Sequence, residues 1–205
     1  MNRLLAATIA LFLPMFLFCG CSSPTDGGDD EDIAPARTSP AGTIARLVWA
    51  YDHMDAETYL DCLSEDFIFF LNPEDVEEDP GLEPGYWNKA EERTIHEAMF
   101  GDPGERAADI VQLTLTQVGD PTPVEVSPGV FRWQYTESVD LRVYVGELIY
   151  LATNPVRFEF REDEDQTGPG GETLWEMSAW HDLGEGGGRV PRHEMSWGTI
   201  KAAFR

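Results

Sequence analysis

The chain has 205 residues, the size of one ordinary domain. Its 38 acidic residues outnumber 14 lysines and arginines, which gives a formal net charge of −24. A surface this acidic repels phosphate backbones, so the composition argues against nucleic-acid binding. The same charge would be repelled by anionic lipid heads, so charge alone cannot hold the chain at a membrane.

The first segment of the chain predicts export. Arg3 precedes an apolar run at residues 4–18 that is short for a membrane span and has no basic residues directly after it, as in a secretory signal. The run ends in FCGCS at residues 18–22, which resembles the lipobox of bacterial lipoproteins. The resemblance implies cleavage after Gly20, lipid on Cys21, and a lipid-anchored place in the bacterial cell envelope. Cleavage elsewhere, as in a plain secretory signal, is the alternative.

We therefore divide the chain into a signal peptide at residues 1–20, a tether at 21–40 and one domain at 41–205. The tether is acidic and rich in Gly and Pro, a composition that buries too little apolar surface to fold. Once Cys19 is removed and Cys21 is lipidated, Cys62 has no partner for an intramolecular disulfide. Its apolar neighbours predict a buried structural thiol.

Three helices are predicted in the first half of the domain. Ser39 followed by Pro40 is typical of a helix start, and apolar residues then recur at helical spacing as far as residue 51. Asp55 is placed to cap a second helix that carries apolar residues up to Leu63. Asn88, with an acidic residue three positions later, predicts a capping box and a third helix that ends near residue 100.

Strands dominate the rest of the chain. Residues 67–71 are aromatic and β-branched and predict a short buried strand, followed by an acidic loop at 72–86. Apolar and polar residues alternate at 111–115, 131–145, 156–160 and 175–179, as in a curved antiparallel sheet. Helices followed by strands indicate an α+β fold. Residues 197–204 predict either a short helix or a strand.

This order, together with LVWAYDHMDAETYLDCLSEDFIFF at residues 47–70, resembles the NTF2-like (cystatin-like, SnoaL-like) superfamily. The resemblance implies a cone in which N-terminal helices pack against a strongly curved sheet, with a pocket for a small apolar ligand at its open end. It also implies a possible homodimer or an envelope protein partner. The superfamily holds enzymes as well as non-catalytic binding proteins, so the fold alone does not decide the function.

The isomerase mechanism found in this superfamily provides a specific test. It needs a tyrosine donor on the first helix and an aspartate base at the end of the first strand. Leu47 and Leu71 occupy these two positions when the motifs are aligned without gaps, and a slip of one residue brings Asn72 to the base position. None of these side chains can move a proton, so isomerase chemistry is not expected.

Other acid–base candidates are His96, His181 and Glu137. The two histidines could both reach the mouth of a cone and act as a pair, although a histidine bonded within the structure is more common. Glu137 lies in the apolar register of its strand. It could be a buried base with a raised pKa, but we favour a β-bulge that turns it to solvent.

An aromatic set could line a ligand pocket, although core packing is the more common role: Trp49, Tyr51, Trp87, Trp133 and Trp175. Residues 163–168 open like a calcium loop, but position twelve is Leu174 instead of Glu, which favours an acidic hairpin. No metal site and no cofactor is predicted. The sequence therefore favours a membrane-anchored, non-catalytic binding module. A pocket lyase or hydrolase using His96, Glu137 or His181, and a structural part of an envelope assembly, are the alternatives.

Overall fold

A computed structural model describes residues 33–101, 108–184 and 195–205. The predicted signal peptide, Cys21 and most of the predicted tether lie outside the described residues. Ala34–Arg205 form one compact unit. Across the described ranges, none of the helices combines the length and the apolar character that a membrane crossing requires.

Five α-helices occur in the described residues: α1 Pro40–His53, α2 Ala56–Asp61, α3 Pro73–Glu78, α4 Lys89–Phe100 and α5 Trp197–Ala202. The first two begin as predicted, because the side chains of Ser39 and Asp55 accept backbone N–H groups of the first turn. The capping box of Asn88 and Glu91 at the start of α4 is also confirmed. Near the C-terminus, where the sequence predicted either a helix or a strand, the chain forms the helix α5.

The described strands are β1 Leu63–Phe70, β2 Tyr86–Asn88, β3 Ile110–Gln117, β4 Thr122–Ser127, β5 Val130–Val145, β6 Leu148–Ala152, β7 Val156–Thr167 and β8 Thr173–Asp182. They form one sheet in the order β2-β1-β8-β7-β5-β3, and β4 and β6 also pair with β5. The pairs are antiparallel except for β1 with β8, which is parallel. The predicted α+β class, with N-terminal helices packed on a curved sheet, is confirmed.

The long strand β5 organises the sheet. One edge of β5 binds β4 and then β3, and the opposite edge binds β7 and then β6. Register shifts interrupt the pairing of β1 with β8, of β4 with β5 and of β7 with β8. Such bulges bend a strand and increase its twist, which curves the sheet around the helices.

Three predictions need correction. The second helix ends at Asp61, and Leu63 already belongs to β1, because the backbone carbonyl of Cys62 accepts a hydrogen bond from Met177 in β8. The loop predicted at 72–86 contains α3, which Asn72 caps through its side chain. Arg37, inside the stretch predicted as tether, is 5% exposed and bonds the backbone carbonyl of Trp175. The ordered domain therefore begins before residue 41.

Candidate functional site

The helices bring five polar side chains together inside the domain, and we call them the core cluster. They are Tyr51 of α1, Tyr59 of α2, Glu92 and His96 of α4, and Lys201 of α5. All five are 0% exposed. The Tyr59 hydroxyl donates to Glu92 Oε2 over 2.6 Å, and the Tyr51 hydroxyl lies 2.8 Å from His96 Nε2. The cluster ties four helices to one another.

A buried ion pair lies at the centre of the core cluster. Lys201 Nζ donates to Glu92 Oε2 over 2.7 Å. The same ammonium lies 4.0 Å from the ring centroid of Phe69 and 4.7 Å from that of Trp180, where the faces of the rings attract a cation. Sheet and helices thus both contact the one charged group of α5.

Helix α5 is fixed at its other end by a buried carboxylate. Asp182, at the end of β8, accepts the backbone N–H of Gly198 over 2.9 Å, and Ser196 caps the helix through its hydroxyl. Trp197 packs edge-to-face on Trp180 with centroids 4.3 Å apart. A side chain at position 198 would collide with Leu71. This is why the segment has a glycine there and can approach β1 so closely.

The chemistry of the core cluster is that of a packed interior. Burial first, and then the nearby Lys201 charge, lower the pKa of His96 well below its usual value, so the ring is neutral. Burial also raises the pKa of Tyr59, and Glu92 adds to that effect. The Lys201 ammonium already binds the Glu92 carboxylate, with Nζ 2.7 Å from Oε2. The cluster therefore stabilises the fold and presents no acid or base to a substrate.

Glu137 is buried, and the predicted bulge is wrong. It is 3% exposed and pairs in register with Gln117 on one side and Val156 on the other. Among the described residues no hydrogen bond or ion pair reaches its carboxylate. Burial raises the pKa of Glu137 to about 7. The less favoured expectation, a buried carboxyl with a raised pKa, therefore describes this residue.

His181 lies on the opposite face of the sheet from the core cluster. Its neighbour Trp180 contacts α5, and successive residues of a strand point to opposite faces. His181 stacks on Phe70 with ring centroids 4.6 Å apart. His96 contacts Tyr51 and Tyr59 instead. The structure does not bring the two predicted histidines together.

His181 and Phe70 open onto a cavity of about 590 Å³, which we call the edge pocket. Its other lining residues are mainly apolar: Leu71, Pro73, Val76, Glu77, Pro84, Gly85, Asp182 and Leu183. His181 Nε2 lies 3.3 Å from Glu159 Oε1, and Arg132 and Gln134 also donate to that carboxylate. These donors, His181 first, hold the pKa of Glu159 at about 2. The carboxylate therefore fixes the orientation of the imidazole.

The predicted aromatic set is divided among different places. Tyr51 and Trp87 are 0% exposed core residues. Trp49 stacks on His53, with ring centroids 3.9 Å apart. Trp133 and Trp175 line a second cavity of about 570 Å³ between the β4–β5 and β7–β8 hairpins, the hairpin cleft. The predicted set therefore does not form a single pocket.

The remaining sequence candidates are accounted for by packing. Leu47 and Leu71 are buried. Asp163 accepts the backbone N–H groups of Asp165 and Gln166 and pairs with Arg37, so its carboxylate is used within the hairpin. In the described ranges, no three His, Cys, Asp or Glu side chains lie together as a metal site would require. Burial raises the pKa of the Cys62 thiol to about 12.

The sequence interpretation missed Glu92, Lys201 and Glu159. Glu92 had a signal, because it precedes Ile95 by three residues and Met99 by seven, which places it on the buried face of α4. Lys201 had a weaker one, a single charge in the apolar run at residues 200–204. The link between Glu159 and His181 depends on strand pairing that no local pattern shows.

No family model and no curated protein sequence matches the chain. A conserved protein from Planctomyces limnophilus is similar at 16% identity, over 70% of this chain and 91% of that one, with a TM-score of 0.48. An NTF2-like protein of unknown function in nutrient uptake from Rhodospirillum rubrum is similar at 15% identity, over 70% of this chain and 95% of that one, with a TM-score of 0.45. An NTF2-like protein with a cystatin-like fold from Novosphingobium aromaticivorans is similar at 18% identity, over 71% of this chain and 79% of that one, with a TM-score of 0.41. At these values no activity is transferred.

Removing one partner of the buried ion pair should destabilise the domain strongly. Lys201→Met leaves the Glu92 carboxylate buried without its cation, which we expect to lower the free energy of unfolding by about 3 to 5 kcal/mol. The double variant Glu92→Gln, Lys201→Met should recover most of that loss. Urea denaturation measures both. Arg205→Met is the matched control, because its pair with Glu91 is 41% and 34% exposed and should be worth at most about 1 kcal/mol.

Glu137 should make stability depend on pH. Burial raises the pKa of Glu137 to about 7 in the folded chain, from the value of 4.5 that an exposed glutamate has. Between these two pH values the folded state therefore binds more protons than the unfolded state. Its contribution to stability therefore falls as the pH rises through that window. Relative to Glu137→Gln, the wild type should lose stability from pH 4.5 to 8 in urea titrations. Glu147→Gln, at an exposed turn, should leave the profile unchanged; parallel profiles for wild type and Glu137→Gln would contradict the assignment.

Proposed function

We propose that this protein is a lipid-anchored NTF2-like module of the bacterial cell envelope that binds a small apolar molecule without transforming it. The observation that carries the proposal is the contrast between two sites. The core cluster fills the interior with its own side chains, whereas the edge pocket is open, mainly apolar and about 590 Å³ in volume. Cavities of this size and lining suit small apolar ligands.

His181 supplies the polar contact of the proposed ligand site. One ring nitrogen faces Glu159, which leaves Nδ1 without a hydrogen-bond partner among the described residues. In the neutral ring whose Nε2–H donates to that carboxylate, Nδ1 is an acceptor. A ligand with one hydroxyl on an apolar body would match this arrangement, because the stacked Phe70 and the nearby Val76 contribute apolar surface.

A hydrolase or lyase is the second candidate function, and the same histidine supports it. A carboxylate that orients an imidazole beside a cavity is the arrangement of a general base. The two candidates differ in turnover. Binding alone leaves the ligand unchanged, whereas catalysis would require Nδ1 of His181 to accept a proton from water or substrate.

The lipid anchor is the part of the proposal that concerns location. It is supported by the order of Arg3, the apolar run at residues 4–18 and Cys21 in the sequence. The acidic domain cannot rely on attraction to anionic lipids, so a lipid on Cys21 would provide the attachment. More than one acyl chain is needed for a stable anchor.

An uncharged fluorescent probe tests the edge pocket. N-phenyl-1-naphthylamine should bind the full chain and gain fluorescence. Val76→Asp and Phe70→Ala should each weaken that binding at least tenfold, because a charge or a lost ring removes apolar contact surface; tenfold corresponds to about 1.4 kcal/mol. Leu148→Ala, an exposed apolar residue on β6, is the matched control. Equal binding by all four proteins would exclude the pocket as the ligand site.

Fractionation of cells tests the anchor. The wild type should sediment with membranes, and Cys21→Ala should not. Cys19→Ala is the matched control, because this residue precedes the predicted cleavage point and should be lost with the signal peptide. Globomycin should cause the uncleaved precursor to accumulate. A Cys21→Ala protein that remains in the membrane would show that something else holds it.

A further inference from the structure

The hairpin cleft arises where two paired strands separate. Strands β5 and β7 pair from Glu137↔Val156 to Trp133↔Phe160 and no further. Beyond that point β5 continues to Val130 bound to β4, and β7 continues to Thr167 bound to β8. In the described part of the chain, each strand therefore has one edge facing the cleft without a partner strand.

Such edges are templates for a further strand. An unpaired strand edge offers backbone N–H and C=O groups that an extended peptide can bond. The cleft measures about 570 Å³. At roughly 3.3 Å per residue, the free edge of β7 at residues 161–167 can accept a segment of a few residues. The backbone of the cleft thus favours an extended polypeptide as its occupant.

The side chains of the cleft define which peptide fits. Its lining residues include three aromatics, of which Phe131 is 57% and Trp133 38% exposed, and four carboxylates against two arginines. Arg161 binds Asp66 and Glu176, and Arg132 binds Glu159, so both arginines are already neutralised. The carboxylates of Glu162, Glu164 and Asp165 form no ion pair with any described residue.

We propose that the hairpin cleft is a docking site for an extended, basic peptide segment of a partner protein, which adds as a strand between β5 and β7. Lysine or arginine side chains of the segment pair with Glu162 and Glu164 and lie over Trp133 or Trp175. The chain's own tether is a poor occupant, because residues 26–32 carry five carboxylates. The proposal is independent of the edge pocket, which lies elsewhere on the sheet.

Fluorescence anisotropy with two labelled peptides tests the charge and the aromatic contacts. A lysine–threonine alternating heptapeptide should bind the full chain in detergent micelles, and a glutamate–threonine peptide of the same length should not. The double variant Glu162→Lys, Glu164→Lys should weaken binding at least tenfold, and so should Trp133→Ala. Glu147→Lys, an exposed carboxylate at the β5–β6 turn, should change it less than twofold. Circular dichroism verifies that each variant folds.

A backbone-modified peptide tests strand addition. Methylation of alternate amide nitrogens removes the donors that a strand needs and keeps every positive charge, so affinity should fall at least tenfold. Four results would overturn the proposal: no binding of the lysine peptide, equal binding of both charge types, equal binding after methylation, or no effect of the double variant. A dimer that the double variant dissociates and the lysine peptide does not would instead identify the cleft as a contact between copies.

Discussion

The ion pair between Glu92 and Lys201 is the contact on which the rest of this structure depends. It joins α4 to α5 at 0% exposure, and the Lys201 ammonium also lies over the rings of two sheet residues. Moving two charges out of water is costly, so the pair persists because Tyr59 adds a hydrogen bond and the rings add cation–π contacts. With the Lys201 ammonium bound to Glu92, the core cluster itself presents no acid or base to a substrate.

Open sites consequently lie where the sheet departs from regular pairing. The parallel pairing of β1 with β8 sets Phe70 beside His181, and that stacked pair forms one wall of the edge pocket. The end of the pairing between β5 and β7 creates the hairpin cleft. Both sites follow from long-range strand register, which also directs Glu159 toward His181. The edge pocket and the hairpin cleft are therefore products of the pairing of the sheet and not of the helical packing.

Local signals in the sequence predicted the parts of the fold that local physics determines. Ser39, Asp55 and Asn88 accept backbone N–H groups within their own helical turns, so these starts could be inferred from neighbouring residues. Glu137 could not be placed, because the absence of a bulge depends on β3 and β7 holding it in register from both sides. The prediction that His96 and His181 act together was wrong for the same reason, because strand pairing decides which face of the sheet His181 occupies.

The buried charge also explains why α5 docks in one register. Lys201 Nζ donates to Glu92 Oε2 over 2.7 Å and to the Tyr59 hydroxyl over 3.4 Å, while Asp182 accepts the backbone N–H of Gly198 one helical turn earlier. These two polar contacts fix both the depth and the rotation of the helix, and Gly198 then allows the close approach to Leu71. We infer that these polar groups set the register of α5, which is the best-attested role of buried polar groups in packing specificity.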